Sequence, residues 1–183
     1  FLRNAVKETG YDLHAFGVGS GSHVGLYSKK YKSIEDLPSK ARVAIPNDPV
    51  NLARALILLH RAGLIQLKDI NNELSTTQDI IANPKQLSFV EVEGPQTAHA
   101  YNDVDLIFGF PHYLKMAKVT DPHSALFLDP IDKKYAILFV TRRDYQDKNQ
   151  KLATFVKAFQ NSKQAQDILD KDFGQGMWFQ GWK

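Results

Sequence analysis

The sequence predicts an α/β protein in which helices pack on the faces of a mostly parallel sheet. Strand-like runs alternate with amphipathic helical segments along the chain, which is the pattern of such folds. The 183 residues, with 43% hydrophobic and 23% charged residues, are enough for one large domain or two small lobes with a buried core. We find no internal repeat and no low-complexity linker.

The first elements are placed by apolar spacing and by turn residues. Apolar residues at positions 1, 2, 5 and 6 predict a helix over residues 1–8, which Gly10 ends. Ser33 is expected to begin a short helix, with Asp36 in the capping-box position and Pro38 as its end. The other predictions for this part are a strand at 11–18, a glycine- and serine-rich turn at 17–25, a strand at 24–28, a buried strand at 41–45 and a polar turn at 46–49.

The clearest element is a helix over residues 51–62. Its apolar residues fall on one face, and Gly63 stands where a glycine commonly ends a helix. The predictions beyond it are short helices at 77–82, 95–101 and 113–117, strands at 87–92 and 104–108, a buried strand at 135–141, helices at 148–160 and 162–169, and an aromatic tail at 177–182.

Composition excludes several classes of protein. The net charge is +3 and no run of five or six basic residues occurs, so nucleic acid is not an expected partner. Cysteine is absent, which rules out disulfides and thiolate sites in this chain. No apolar stretch approaches the roughly 20 residues that span a bilayer. The amphipathic start at residues 1–10 does not have the pattern of a signal peptide.

The motifs of common enzymes are absent too. Glycines at 17, 19, 21 and 25 do not have the dinucleotide-binding spacing, and a strand follows them instead of a helix. Histidines at 14, 23, 60, 99, 112 and 123 show no zinc-site spacing, and no G-x-S-x-G elbow occurs. The sequence therefore predicts a binding protein, with no enzyme activity, metal or cofactor.

The most informative segment is residues 47–54, between a buried strand and the start of the clearest helix. Backbone N–H groups and the positive end of a helix dipole favour an anion at such a place. Asn47 or Asn51 is expected to cap the helix, and the guanidinium of Arg54 suits a carboxylate. The alternative, in which the helix is simply capped and Arg54 is a solvated surface charge, remains open at this point.

Residues 45–68 closely resemble the signature stretch of the NlpA-type lipoproteins, the methionine-binding proteins of bacterial ABC importers. The stretches 25–30, 32–37, 83–84, 103–105 and 139–142 match the same family in order, so the resemblance covers nearly the whole chain. It implies a type II periplasmic-binding-protein fold, with two lobes joined by crossing strands and the ligand bound between them.

The resemblance also implies how the lobes are divided. Residues 1–30 would form part of the first lobe and the first crossing strand, residues 40–130 the second lobe, and residues 135–183 the second crossing strand and the C-terminal helices of the first lobe. The first lobe would be incomplete, because family members carry a further N-terminal stretch and a lipid anchor that this chain lacks.

The binding residues follow from the resemblance one at a time. Arg54 matches the arginine that holds the ligand carboxylate, Asn47 and Asn51 match its neighbours, and Gln96 matches a glutamine of a lobe-edge helix. Phe110, His112 and Tyr113 would line the facing wall. Phe110 stands where the family has an asparagine, Ser20 and Ser22 where it has aromatic residues, and Ile137 where it has a second asparagine.

Two hypotheses follow. The first is the substrate-binding lipoprotein of an ABC importer, located in the cell envelope as a periplasmic or surface-exposed protein. It would bind methionine or another small carboxylate-bearing amino acid, and its partners would be the importer's membrane subunits. The alternative, prompted by the altered pocket, is a diverged family member that has lost methionine binding and acts as a surface-exposed interaction protein with macromolecular partners such as host proteins.

Overall fold

The computed structural model describes residues 1–183, which divide into two compact units. The terminal unit consists of Phe1–Ser22 and Ile131–Lys183, and the central unit is His23–Pro130. The helices are α1 (Leu2–Thr9), α2 (Pro49–Arg61), α3 (Gly94–His99), α4 (Pro111–Ala117), α5 (Lys151–Asn161) and α6 (Lys163–Phe173). The strands are β1 (Leu13–Val18), β2 (Ser20–Ser22), β3 (Gly25–Tyr27), β4 (Arg42–Pro46), β5 (Gln66–Leu67), β6 (Ile80–Ala82), β7 (Ser88–Val92), β8 (Leu106–Gly109), β9 (Phe127–Leu128), β10 (Leu138–Arg142) and β11 (Trp178–Gln180).

The central unit contains a five-stranded sheet in the order β7-β4-β8-β3-β9. β4 pairs in parallel with both β7 and β8, while β3 pairs antiparallel with β8 and β9. β3, which falls within the strand predicted at 24–28, therefore lies inside this sheet. The prediction of a mostly parallel sheet is therefore wrong: β7, β4 and β8 are parallel, but the other two pairings of this sheet are antiparallel.

Alternate residues of the central strands point to opposite faces, and each face is covered by helices. Val43, Ile45 and Phe108 belong to one buried cluster with the apolar face of α2. Ala44 and Ile107 belong to a second cluster with residues of α3 and α4. The strands at the centre of the sheet are therefore apolar on both faces, as expected of a parallel sheet between helices.

Helix α2 ends in the way its sequence predicts. Gly63 has a φ of 73° just after the helix, a conformation that glycine adopts without strain. Its N–H donates to the carbonyl of His60, and the N–H of Leu64 donates to the carbonyl of Leu59. These two bonds form a Schellman motif, which satisfies the last free carbonyls of the helix.

The terminal unit contains two small antiparallel pairs, β1 with β10 and β2 with β11. The ring of Phe139 on β10 packs edge-on against Phe155 and Phe159 of α5, with centroids 6.0 and 5.6 Å apart. Leu138 and Val140 on the other side of β10 are exposed, so the prediction of a fully buried strand at 135–141 is wrong. Only one face of this strand is covered.

Three further local predictions are wrong. The predicted turn at 17–25 contains β2, and the aromatic tail contains β11. The two strands pair, and the absence of a side chain at Gly21 leaves space for the ring of Phe179. The capping-box hydrogen bonds of Ser33 and Asp36 form, but no helix follows since Pro38 comes too soon for a helical nucleus. At 77–82 a single 3₁₀ turn, Thr77–Asp79, gives way to β6, where β-branched isoleucines favour a strand.

None of the helices combines the length and the apolar character that spanning a membrane requires.

Candidate functional site

The candidate site lies at the edge of the central unit where three parallel strands end. After β4 the chain enters α2, after β7 it enters α3, and after β8 it enters α4. The backbone N–H of Asn47 donates to the carbonyl of Val92 at 2.8 Å, which joins the ends of β4 and β7. Ligands of open α/β sheets bind outside the carboxyl ends of the strands. The topology therefore brings all seven predicted site residues to the edge where such a site is expected.

The N-terminus of α2 is capped by Asp48. Its Oδ1 accepts the backbone N–H of Asn51 at 3.0 Å, and its Oδ2 accepts the side-chain amide of Asn51 at 3.0 Å. The prediction that Asn47 or Asn51 caps the helix is therefore wrong. Pro49 at the first helical position pushes Asp48 into the extended conformation (φ −75°, ψ 141°) that a capping residue needs. Asn47 is exposed, and Asn51 is half-buried.

Arg54 lies in the second turn of α2 and is nearly fully buried, with 5% of its surface exposed. The alternative in which Arg54 is a solvated surface charge is therefore wrong. Its Nε lies 3.7 Å from Oδ2 of Asp129, and Oδ1 of the same carboxylate lies 2.6 Å from Nη1 of Arg61. Two guanidinium groups thus share one buried carboxylate, and the three side chains together carry a charge of +1.

Asp129 was not among the residues predicted from the sequence. Its side chain is 2% exposed, and it follows β9, far along the chain from α2. An aspartate before a proline in a polar turn has an ordinary structural interpretation, and no local pattern links it to an arginine 75 positions earlier. Only the tertiary fold could reveal this residue.

Phe110, His112 and Tyr113 form an aromatic cluster at the start of α4. The ring of Phe110 packs edge-on against Phe108 and Tyr113, with centroids 5.2 and 5.5 Å apart. The rings of His112 and Tyr113 are 4.0 Å apart. Phe110 is 9% exposed and belongs to the hydrophobic core of the central unit, whereas His112 and Tyr113 are half-buried. Burial lowers the pKa of His112 from its ordinary value, so the neutral imidazole is favoured.

Gln96 is exposed in the first turn of α3, and its backbone N–H donates to the carbonyl of Glu93 at 2.8 Å. Tyr113 lies beside this turn, because a Cβ added at Gly94 would be 3.8 Å from its ring. The first turns of α3 and α4 are therefore neighbours. The role of Gln96 in ligand binding stays a prediction, as do the roles of the other site residues.

A concave region lies at the opposite end of α2, away from Asn47 and Asn51. It is an open groove of about 330 Å³ lined by His60, Gly63, Ile65, Gln66, Ala82 and Pro84. Nδ1 of His60 accepts the backbone N–H of Leu67 at 3.0 Å and so serves the fold of the groove itself. The groove has no lysine or arginine in its lining, so it suits a carboxylate less well than the surroundings of Arg54.

Metal binding has no support in the geometry. No three histidine, cysteine, aspartate or glutamate side chains come together in an arrangement that could hold an ion.

Comparison with known proteins identifies one family of lipoproteins. The model of the NlpA lipoprotein family matches residues 1–182. A protein of Pasteurella multocida named as a probable D-methionine-binding lipoprotein MetQ is 39% identical over 182 residues, which cover 100% of this chain and 65% of that protein. The chain spans 65 to 67% of the length of the curated relatives that it matches along its whole length.

Solved structures agree with this assignment. A crystal structure of the methionine binding protein MetQ superimposes with a TM-score of 0.86 at 36% identity, covering 100% of this chain and 74% of that one. A nutrient binding protein from Burkholderia cenocepacia, solved bound to methionine, gives a TM-score of 0.85 at 33% identity, with 98% and 74% covered. The fold expected from the resemblance, that of periplasmic substrate-binding proteins, is confirmed.

Proposed function

Because the chain belongs to the NlpA lipoprotein family, we propose that it binds a small amino acid for an ABC importer, with methionine as the first candidate ligand. Arg54 takes the carboxylate of the ligand. Asn47, Asn51, Gln96, His112 and Tyr113 surround the head group and side chain. The protein is a binding protein and not an enzyme.

The observation that carries this proposal is the burial of Arg54. A charged guanidinium is taken out of water at large cost unless anions compensate it. Asp129 contacts both Arg54 and Arg61, and a carboxylate is the ligand group whose charge a buried guanidinium favours. An arginine also holds a carboxylate through two parallel hydrogen bonds, which fixes the orientation of the ligand.

Methionine is favoured by the relatives. Relatives from Pasteurella multocida and Salmonella typhi are named as D-methionine-binding lipoproteins, the former as a probable one, and one solved neighbour is described as bound to methionine. Three of the four positions at which this chain departs from the family take part in strand pairing or core packing. Ser20 and Ser22 belong to β2, which is paired with β11, and Phe110 packs with Phe108 in a core. Half-buried rings at His112 and Tyr113 offer an apolar surface to a thioether side chain.

The partners and the location follow from the same family. The relatives are named as lipoproteins, so we place this protein in the cell envelope, with the membrane subunits of an ABC importer as its partners. The second hypothesis, an interaction protein with host or other macromolecular partners, gains no support from these names.

Isothermal titration calorimetry tests the proposal with L-methionine, D-methionine and methioninamide, in which a neutral carboxamide replaces the carboxylate. We expect methionine to bind and methioninamide to bind much more weakly. Removing one partner of a buried charge pair costs about 2–5 kcal/mol, so Arg54→Ala is expected to lose at least about 30-fold in affinity.

The matched control is Arg42→Ala. Arg42 is an exposed arginine at the other edge of the same sheet, where its Nη1 donates to the carbonyl of Asp103. This variant should bind methionine like the wild type. Equal affinity of the wild type and Arg54→Ala, or no binding of any amino acid by the wild type, would overturn the proposal.

A further inference from the structure

The most unusual buried charge in the central unit is Asp129. It is 2% exposed, yet it makes contacts with both charged arginines of α2. The shorter contact is to Arg61, at 2.6 Å, whose side chain is 31% exposed. The longer is to Nε of Arg54, at 3.7 Å, whose side chain is 6% exposed. The carboxylate therefore faces the guanidinium that the proposed function assigns to the ligand.

The backbone of Asp129 is held independently of its side chain. Its N–H donates to the carbonyl of Val24 at 2.9 Å. Its carbonyl oxygen accepts a hydrogen bond from Nδ1 of His23 at 2.9 Å, because a carbonyl cannot donate. An aspartate side chain has only two torsions, so two backbone anchors fix the carboxylate within a small volume. The carboxylate of Asp129 is therefore held at a fixed position beside α2.

We propose that Asp129 is a positioning residue, which holds the guanidinium of Arg54 in the orientation that receives the carboxylate of an amino acid. This inference rests on the proposed function and adds to it a residue that does not itself touch the ligand. An arginine side chain has many rotamers, and fixing it before binding removes that entropic cost from the binding step.

Two effects of Asp129 oppose each other. Its negative charge orders Arg54, but it also repels a ligand carboxylate nearby. The ion pair between Arg61 and Oδ1 of Asp129 at 2.6 Å reduces the repulsion that Asp129 exerts on an incoming anion, while Oδ2 stays 3.7 Å from Nε of Arg54. Ordering of Arg54 is therefore the larger effect, and loss of Asp129 weakens binding.

Titration of Asp129→Asn with methionine and with methioninamide tests the proposal. We expect the Kd for methionine to rise about tenfold, which corresponds to about 1.4 kcal/mol. The Kd for methioninamide should change less than about threefold, because the weaker hydrogen bonds of a neutral amide depend less on the orientation of Arg54. A general structural defect would weaken both ligands equally.

Asp105→Asn is the matched control. Asp105 is another ion-paired carboxylate of the central unit, with Oδ1 2.9 Å from Nζ of Lys30. It lies at the amino end of β8, because its N–H donates to the carbonyl of Arg42 where β4 begins. This variant should bind both ligands like the wild type. Circular dichroism and urea unfolding establish that each variant is folded.

Asp129→Glu is the second variant and serves if Asp129→Asn does not fold. It keeps the charge but moves the carboxylate by one methylene, so we expect an intermediate loss that again affects methionine more than methioninamide. Unchanged or tighter methionine binding in the Asp129 variants, or an equal loss for both ligands, would overturn the inference while leaving the proposed function intact. Failure of the wild type to bind methionine or any other amino acid would overturn both.

Discussion

Replacement of Phe110 by alanine tests whether this residue stabilises the hydrophobic core or lines the ligand site. Phe110 is 9% exposed, and its ring makes edge-on contacts with Phe108 and Tyr113 at 5.2 and 5.5 Å. Its side chain makes no hydrogen bond and cannot cap α4, so the substitution removes packing alone. Phenylalanine-to-alanine changes in cores cost about 3–5 kcal/mol, of which each edge-on pair contributes about 0.5–1.5 kcal/mol.

Urea unfolding followed by circular dichroism measures this loss. We expect Phe110→Ala to lower the free energy of unfolding by about 3–5 kcal/mol. Met116→Ala is the control, on the helix that directly follows Phe110: Met116 is 76% exposed, and its loss should stay within about 0.5 kcal/mol. A loss below about 1 kcal/mol for Phe110→Ala, together with a large loss of methionine affinity, would refute our assignment of this ring to the core.

Two more predictions concern α2 and the aromatic cluster. Asp48→Ala removes the cap of α2 and should lower the free energy of unfolding by about 0.5–2 kcal/mol in urea, whereas Asp36→Ala, whose similar hydrogen bonds precede no helix, should change it by less than about 0.5 kcal/mol. Equal effects would mean that the cap adds nothing to the helix. Because burial lowers the folded-state pKa of His112, the unfolded chain binds this proton more readily. The stability from the neutral imidazole is full above the unfolded pKa of about 6.5 and is lost as pH falls below it. The wild type should therefore lose more stability between pH 7 and pH 5 than His112→Gln does, and identical pH profiles would contradict the assignment.

Local sequence patterns predict the best-formed elements well. The bounds of α2 follow from its apolar face, and Gly63 ends it in the expected left-handed conformation. Sequence patterns do not predict elements whose secondary structure depends on contacts with distant parts of the chain. β2 and β11 are three residues each and pair across more than 150 positions, so neither carries a strand signal of its own. At Ser33 the local hydrogen bonds formed without the helix that they usually begin.

The location of the candidate site could be predicted from the sequence, but the contacts of its residues could not. Placement of residues 47–54 after a strand and before a helix predicts the sheet edge where they lie. Asp48 and not an asparagine caps the helix, because Pro49 holds Asp48 in the extended conformation that a capping residue needs. The burial of Arg54 and its neighbour Asp129 arise from packing between segments distant in sequence. No periodicity or spacing reports such a contact.

A crystal structure of the protein with methionine tests most directly the claim that Arg54 receives the carboxylate of an amino acid. We predict guanidinium N–H groups of Arg54 at about 2.7–2.9 Å from the carboxylate oxygens of the ligand, with Asp129 still beside Nε. Methionine bound in the groove at His60, or at the sheet edge with its carboxylate away from Arg54, would contradict the claim.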